Sequence, residues 1–193
     1  MFNIMLDRLP SDFEGYLIRT DFRIGILLSL LFEDEELENT EKYEQAFELL
    51  YGKSIPPYEV AINGLYWFLN GGEVFNSDND MTGVEECERR GEELRYFSFD
   101  EDHKKFFTAF KKLGYDLKSD KMHWFEFLAF LGDIGECALS QAMEFRTCDT
   151  SKMGPEQREH YEKMKKKVAL KNIKKGEEEN SQEIQEFLEF IKQ

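Results

Sequence analysis

Two segments of this chain, residues 22–32 and 122–134, are apolar on nearly every side when wound as helices. A surface helix needs only one apolar stripe, so helices of this kind must be covered from several directions. Neither is long enough to span a bilayer, so the cover has to come from protein. The rest of the 193 residues supplies it in helical register. Thr20 or Asp21 is placed to cap the first segment. Tyr43, Ala46, Phe47 and Leu50 fall at i, i+3, i+4 and i+7 between a Thr40 cap and Gly52. Ala61, Leu65 and Phe68 share a face in a stretch opened by Pro56-Pro57 and closed by Gly71-Gly72. Phe106, Ala109, Phe110 and Leu113 follow Ser98 and Glu101, which have capping-box spacing, and precede Gly114. Leu139, Ala142 and Met143 continue the pattern to about Arg146. Pro155 begins a charged helix with the narrow stripe Tyr161, Met164 and Val168, and Ile184, Phe187, Leu188 and Ile191 mark a last amphipathic one.

These periods predict a mainly α fold, a helical bundle with a small N-terminal β-hairpin around Gly15. Alternation at Phe2, Ile4 and Leu6 suggests a strand before it. Segments 22–32 and 122–134 are expected to be the two most buried helices. The organisation reads as hairpin and helices over 1–72, an acidic linker or insertion over 73–95, a second helical layer over 96–150 and a charged helical tail over 151–193.

The formal net charge of −15 opposes contact with a phosphate backbone, so nucleic acid is not an expected partner. The charge is uneven, −16 over residues 1–150 against +1 over 151–193. Within the tail, 158–175 is basic and 177–189 acidic. That polarity suits pairing with a neighbouring copy through the basic segment. Cys87, Cys137 and Cys148 are odd in number and lack metal-ligand spacing, so neither a disulfide framework nor a zinc site is expected. The first ten residues contain Asp7 and no long apolar run, unlike a signal peptide, and no membrane role is expected.

No catalytic motif is present: no G-x-S-x-G, no phosphate-binding glycine loop and no H-E-x-x-H. The chain is therefore expected not to be an enzyme, and no cofactor is expected. The one loop resembling a calcium site counts Gly83 correctly from Asp78. It then places Arg89 where a bidentate carboxylate belongs, and a cation there repels calcium, so no tight binding is expected. The histidines are His103, His123 and His160; Glu126 lies three residues after His123 with no second His near it, and His123 reads as a core or interface histidine. The feature left over is aromatic. Tyr66, Trp67 and Phe68 are consecutive, as are His123, Trp124 and Phe125. Three neighbouring residues cannot all face one core from a single helix, so some must meet a second helix layer or another chain. Core packing takes the larger share of the signal, and for the remainder these six are the candidate partner-binding residues.

The order of several short motifs resembles the gene product fifteen family of tailed phages and prophages of Gram-positive bacteria. The motifs are Leu9-Pro10, Gly15-Tyr16-Leu17-Ile18-Arg19-Thr20-Asp21-Phe22-Arg23 and Trp67-Phe68-Leu69-Asn70-Gly71-Gly72. After them come Phe97-Ser98-Phe99-Asp100-Glu101-Asp102, Tyr115-Asp116-Leu117, His123-Trp124-Phe125-Glu126-Phe127 and Phe145-Arg146. The resemblance covers roughly residues 1–170 and leaves the acidic stretch at 73–95 unmatched. It implies a protein of the tail module, a tail assembly chaperone or related assembly factor working in the host bacterial cytoplasm. The implied partners are the tape-measure protein and the major tail protein, with self-association. The competing expectation is a small acidic phage regulator or inhibitor of a host protein.

Overall fold

The structure, a computed structural model, describes residues 3–34, 36–73 and 96–171. They form seven helices and one two-stranded hairpin, so the chain is mainly α. The elements are β1 (Asp12–Phe13), β2 (Tyr16–Leu17), α1 (Phe22–Glu33), α2 (Asn39–Tyr51), α3 (Tyr58–Leu69), α4 (His103–Lys112), α5 (Trp124–Gly132), α6 (Ala138–Thr147) and α7 (Pro155–Val168). Among the described residues, 3–73 and 121–129 form one compact unit, and 96–120 and 130–171 another.

In the first unit, β1 and β2 pair antiparallel with Phe13 opposite Tyr16 and Asp12 opposite Leu17. Glu14 and Gly15 both take positive φ, 49° and 83°, as a two-residue hairpin turn requires. Side chains directly opposite each other share a face, so Phe13 and Tyr16 lie on one side and Leu17 on the other. The strand expected at Phe2, Ile4 and Leu6 does not form among the described residues. The N–H groups of Leu6 and Asp7 instead donate to the Asn3 carbonyl, at 3.1 and 2.8 Å. This closed turn is strengthened by Asn3 Oδ1 accepting the Met5 N–H, so local hydrogen bonds outcompete a ladder with no partner strand.

Asp21 caps α1, accepting the Arg23 N–H at 2.9 Å. Glu38, rather than Thr40, opens α2, in a reciprocal capping box with Glu41. Pro57 precedes α3, and Gly71 and Gly72 turn the chain away from it by donating to the carbonyls of Phe68 and Trp67. Residues 20–22 and 122–124 meet as a short antiparallel bridge. There the Phe22 N–H donates to Met122 and the Trp124 N–H to Thr20, at 3.0 and 2.8 Å. The start of α5 is thereby pinned beside the start of α1.

Among the described helices the most buried is α3, with six buried residues, against three each in α1 and α5. This corrects the expectation drawn from apolarity. An all-apolar helix is central only if neighbours cover every side, and α1 is left with Leu27 at 46% exposure.

In the second unit, Ser98 and Glu101 do not open a helix at Ser98. The hydroxyl of Ser98 accepts the Glu101 N–H in a preceding turn, and α4 begins only after Asp102. Phe97, Phe99 and Phe106 pack edge to face and tilted with centroids 4.9–5.4 Å apart. Buried Cys137 caps α6 in a reciprocal pair of hydrogen bonds with Ser140. Pro155 sits in the first turn of α7, where its missing N–H costs nothing. No residue of α7 is buried. Among the described residues, no helix is long and apolar enough to cross a membrane. The helix expected over 184–191 and the acidic stretch over 74–95 lie outside the described residues.

Candidate partner-binding site

The six aromatic and imidazole residues singled out from the sequence come from the C-terminal turn of α3 and the N-terminal turn of α5, with His123 just before α5. The fold brings Trp67, Phe68, His123, Trp124 and Phe125 together. The Trp67 ring meets Phe125 edge-on at 5.2 Å and Phe13 at 5.1 Å. Phe68 lies 6.2 Å from Trp124 and 6.1 Å from Phe125. Tyr66 turns the other way, toward α2, with its hydroxyl 2.6 Å from that of Tyr43. Consecutive residues on α3 thus face two different neighbours, which is the physical demand that the run itself makes.

Glycines permit this packing. A Cβ at Gly25 of α1 would collide with the Trp124 indole, so only glycine lets α1 approach α5 this closely. Gly72, at φ +89°, places the chain where a Cβ would come within 2.7 Å of the Phe125 ring.

His123 is held in one tautomer. Its Nδ1 accepts the Phe125 N–H at 3.0 Å, and its Nε2 donates to the Pro10 carbonyl at 2.9 Å. The ring therefore ties the chain before the hairpin to the start of α5. Burial lowers the imidazole pKa, and the Pro10 bond and the Glu126 charge offset only part of that. Glu126 also accepts the His123 N–H at 3.0 Å, capping α5.

Exposure separates the six. Tyr66, Phe68, Trp124 and Phe125 are buried, with Phe68 at 0% and Trp124 at 2%. Trp67 and His123 are half-buried. Four of the six therefore spend their area on the core of the first unit and offer no surface in this conformation. The large apolar side chains that do face solvent are others. Met5 is 88% exposed, Leu6 84% and Leu17 73%, with Ile4, Tyr16 and Leu27 less so. Among the described residues, six of the nine such side chains lie within the first 27 positions. Sequence reasoning missed them because a lone Leu on the surface is ordinary. The usable signal was the pairing of Leu17 with Asp12 in a hairpin whose opposite face is aromatic.

Among the described residues, no group of three His, Cys, Asp or Glu side chains is placed to hold a metal. The loop beginning at Asp78 lies outside the described residues.

Among the described residues, the most perturbed carboxylate belongs to the second unit. Asp102 is 1% exposed and receives two hydrogen bonds from Arg146, at 2.6 and 3.0 Å, and one from Lys105 at 2.6 Å. Burial raises its pKa, but the bonds from Arg146, Lys105 and the Ser98 N–H outweigh burial and bring it to about 2. Arg146 also donates to the carbonyls of Tyr96 and Val168. With its donors directed at carbonyls and one carboxylate, this is a structural tie and not an acid–base pair.

No curated protein and no solved structure matches this chain. The sequence profile described as bacteriophage Gp15 protein matches residues 5–170, which takes in the hairpin, all seven helices and the aromatic cluster. The chain belongs to the bacteriophage Gp15 protein family.

Proposed function

We propose that this protein is a phage tail assembly factor of the chaperone type, which binds the tape-measure protein in the host cytoplasm while the tail is built. The observation that carries this reading is the concentration of exposed apolar side chains at the N-terminal turn, the hairpin and α1, namely Met5, Leu6, Leu17 and Leu27. They project from an otherwise strongly acidic chain. Acidity keeps such a protein dispersed, while exposed apolar groups supply contact area for an aggregation-prone helical client. The family is a phage family, and the resemblance implies a long, aggregation-prone tape-measure protein as the client. The major tail protein is a second client of the same surface.

The experiment is co-expression with the tape-measure protein of the same phage, followed by size-exclusion chromatography with light scattering. The expected result is a soluble complex that is lost when Leu6 and Leu17 are both changed to Asp. If the tape-measure protein is equally insoluble with and without this chain, the chaperone reading is wrong and a regulatory role becomes the better one.

A further inference from the structure

Among the described helices, α7 alone has no buried residue. Tyr161, Met164, Lys165 and Val168 form its half-buried side, held against α6 by the Phe145–Tyr161 ring contact at 5.4 Å. The Lys165 ammonium also donates to the Cys148 carbonyl. Glu159, Glu162, Lys163 and Lys166 are exposed and fall at i, i+3, i+4 and i+7, on the opposite side. Along that stripe the charges read two acidic, then two basic. A shallow hollow of about 450 Å³ between these side chains is walled by the same four residues and Lys167.

Three of the four make no ion pair among the described residues. The exception is Glu162, which Arg158 meets at 3.2 Å. Glu159 and Lys163 have the spacing of an intrahelical pair, as do Glu162 and Lys166, but neither pair closes.

A stripe that is acidic at one end and basic at the other complements itself when turned end for end. We propose that α7 is a self-association surface whose occupant is the α7 of a second copy, lying antiparallel across a two-fold axis. Glu159 then faces the partner's Lys166, and Glu162 faces the partner's Lys163. The two-fold repeats both pairs, giving four ion pairs in a closed, isologous contact. The sequence alone suggested a basic segment meeting the acidic body of a neighbour, which is a head-to-tail contact. The position of Glu159 and Glu162 on the same exposed side replaces it with a closed dimer.

The contact is weak by construction. Exposed ion pairs each contribute roughly 0.2–1 kcal/mol. The stripe is only about 10 Å long, and no large apolar residue lies on it. Each copy carries −15, so long-range repulsion opposes approach at very low salt. At about 0.1 M salt the Debye length is about 10 Å, which screens the bodies while leaving contacting pairs effective. The dimer is therefore favoured at moderate ionic strength and lost near 1 M. This inference goes beyond the assembly reading and does not rest on it.

The test is sedimentation equilibrium on the full chain at about 0.1 M and about 1 M salt. Two charge reversals are compared with it, E159K/E162K and K163E/K166E. All four positions are exposed, and circular dichroism checks that the helices persist. The wild-type chain should show a concentration-dependent rise in mass at the lower salt that disappears at the higher. Each reversal alone should remain monomeric. An equimolar mixture should form a heterodimer tighter than the wild-type dimer, because one stripe is then wholly basic and the other wholly acidic. The fourfold variant E159K/E162K/K163E/K166E should regain self-association. A monomeric wild-type chain overturns the proposal, as does association that survives both reversals or a mixture that stays monomeric.

Discussion

Asp102 and Arg146 show how one buried charge pair makes stability depend on both partners. Removing the carboxylate leaves a buried guanidinium without its counter-ion, so Asp102→Ala should cost about 3–5 kcal/mol in urea denaturation. The pair also sets an acid limit. The folded carboxyl titrates near 2 against an ordinary value of 3.8, so its contribution is fully present above pH 3.8. That contribution, about 2 kcal/mol, is lost as pH falls toward 2. Gly25 makes a steric claim at the same scale. A methyl group there meets the Trp124 ring, so Gly25→Ala should destabilise by about 1–3 kcal/mol and alter tryptophan fluorescence. An unchanged midpoint and spectrum would show that α1 and α5 yield more easily than the geometry indicates.

At the scale of elements, the His123 ring links the chain before the hairpin to the start of α5, and it does so only while neutral. A protonated Nδ1 cannot accept the Phe125 N–H. The folded pKa lies below the ordinary 6.5, so the unfolded chain takes up this proton first. The stability the neutral ring supports is whole above pH 6.5 and declines as pH falls from there toward the folded value. Denaturation midpoints measured from pH 7.5 down to 5 should therefore fall, and His123→Gln should flatten that slope while lowering the midpoint at neutral pH. A wild-type midpoint constant across this range would contradict the tie. The signal for this role was barely visible in the sequence. A His followed three residues later by Glu reads as a helix start, whereas its bond to Pro10 spans 113 positions.

For the whole molecule, the separation between core aromatics and exposed aliphatics yields opposite outcomes for substitutions of similar size. Phe68→Ala should cost about 3–5 kcal/mol, because it removes a ring with no exposed surface. Leu17→Asp should cost no more than about 1 kcal/mol, because its side chain is already in water and the loss is confined to repulsion from Asp12 opposite it. Capture of the tape-measure protein should follow the reverse order when both variants are assayed at a temperature where both are folded. If Leu17→Asp captures as well as the wild type, the N-terminal aliphatics are not the contact surface.

Much of the helical architecture was legible from the residues, because period, caps and glycine stops are local and each is written within a few positions. Asp21 before α1, Gly52 after α2, Pro155 at the start of α7 and the hairpin around Gly15 are all of this kind. The aromatic runs at 66–68 and 123–125 declared that they must face more than one neighbour, and they do. What the sequence could not decide is which surfaces those neighbours cover. Apolarity marks a side chain that gains by leaving water, but not whether another element arrives to cover it. Tertiary packing made α3 rather than α1 the most buried helix. It drew Phe68 and Trp124 inward and left Leu17 and Leu27 outside. It also seated the charge of Asp102 on an arginine 44 positions away.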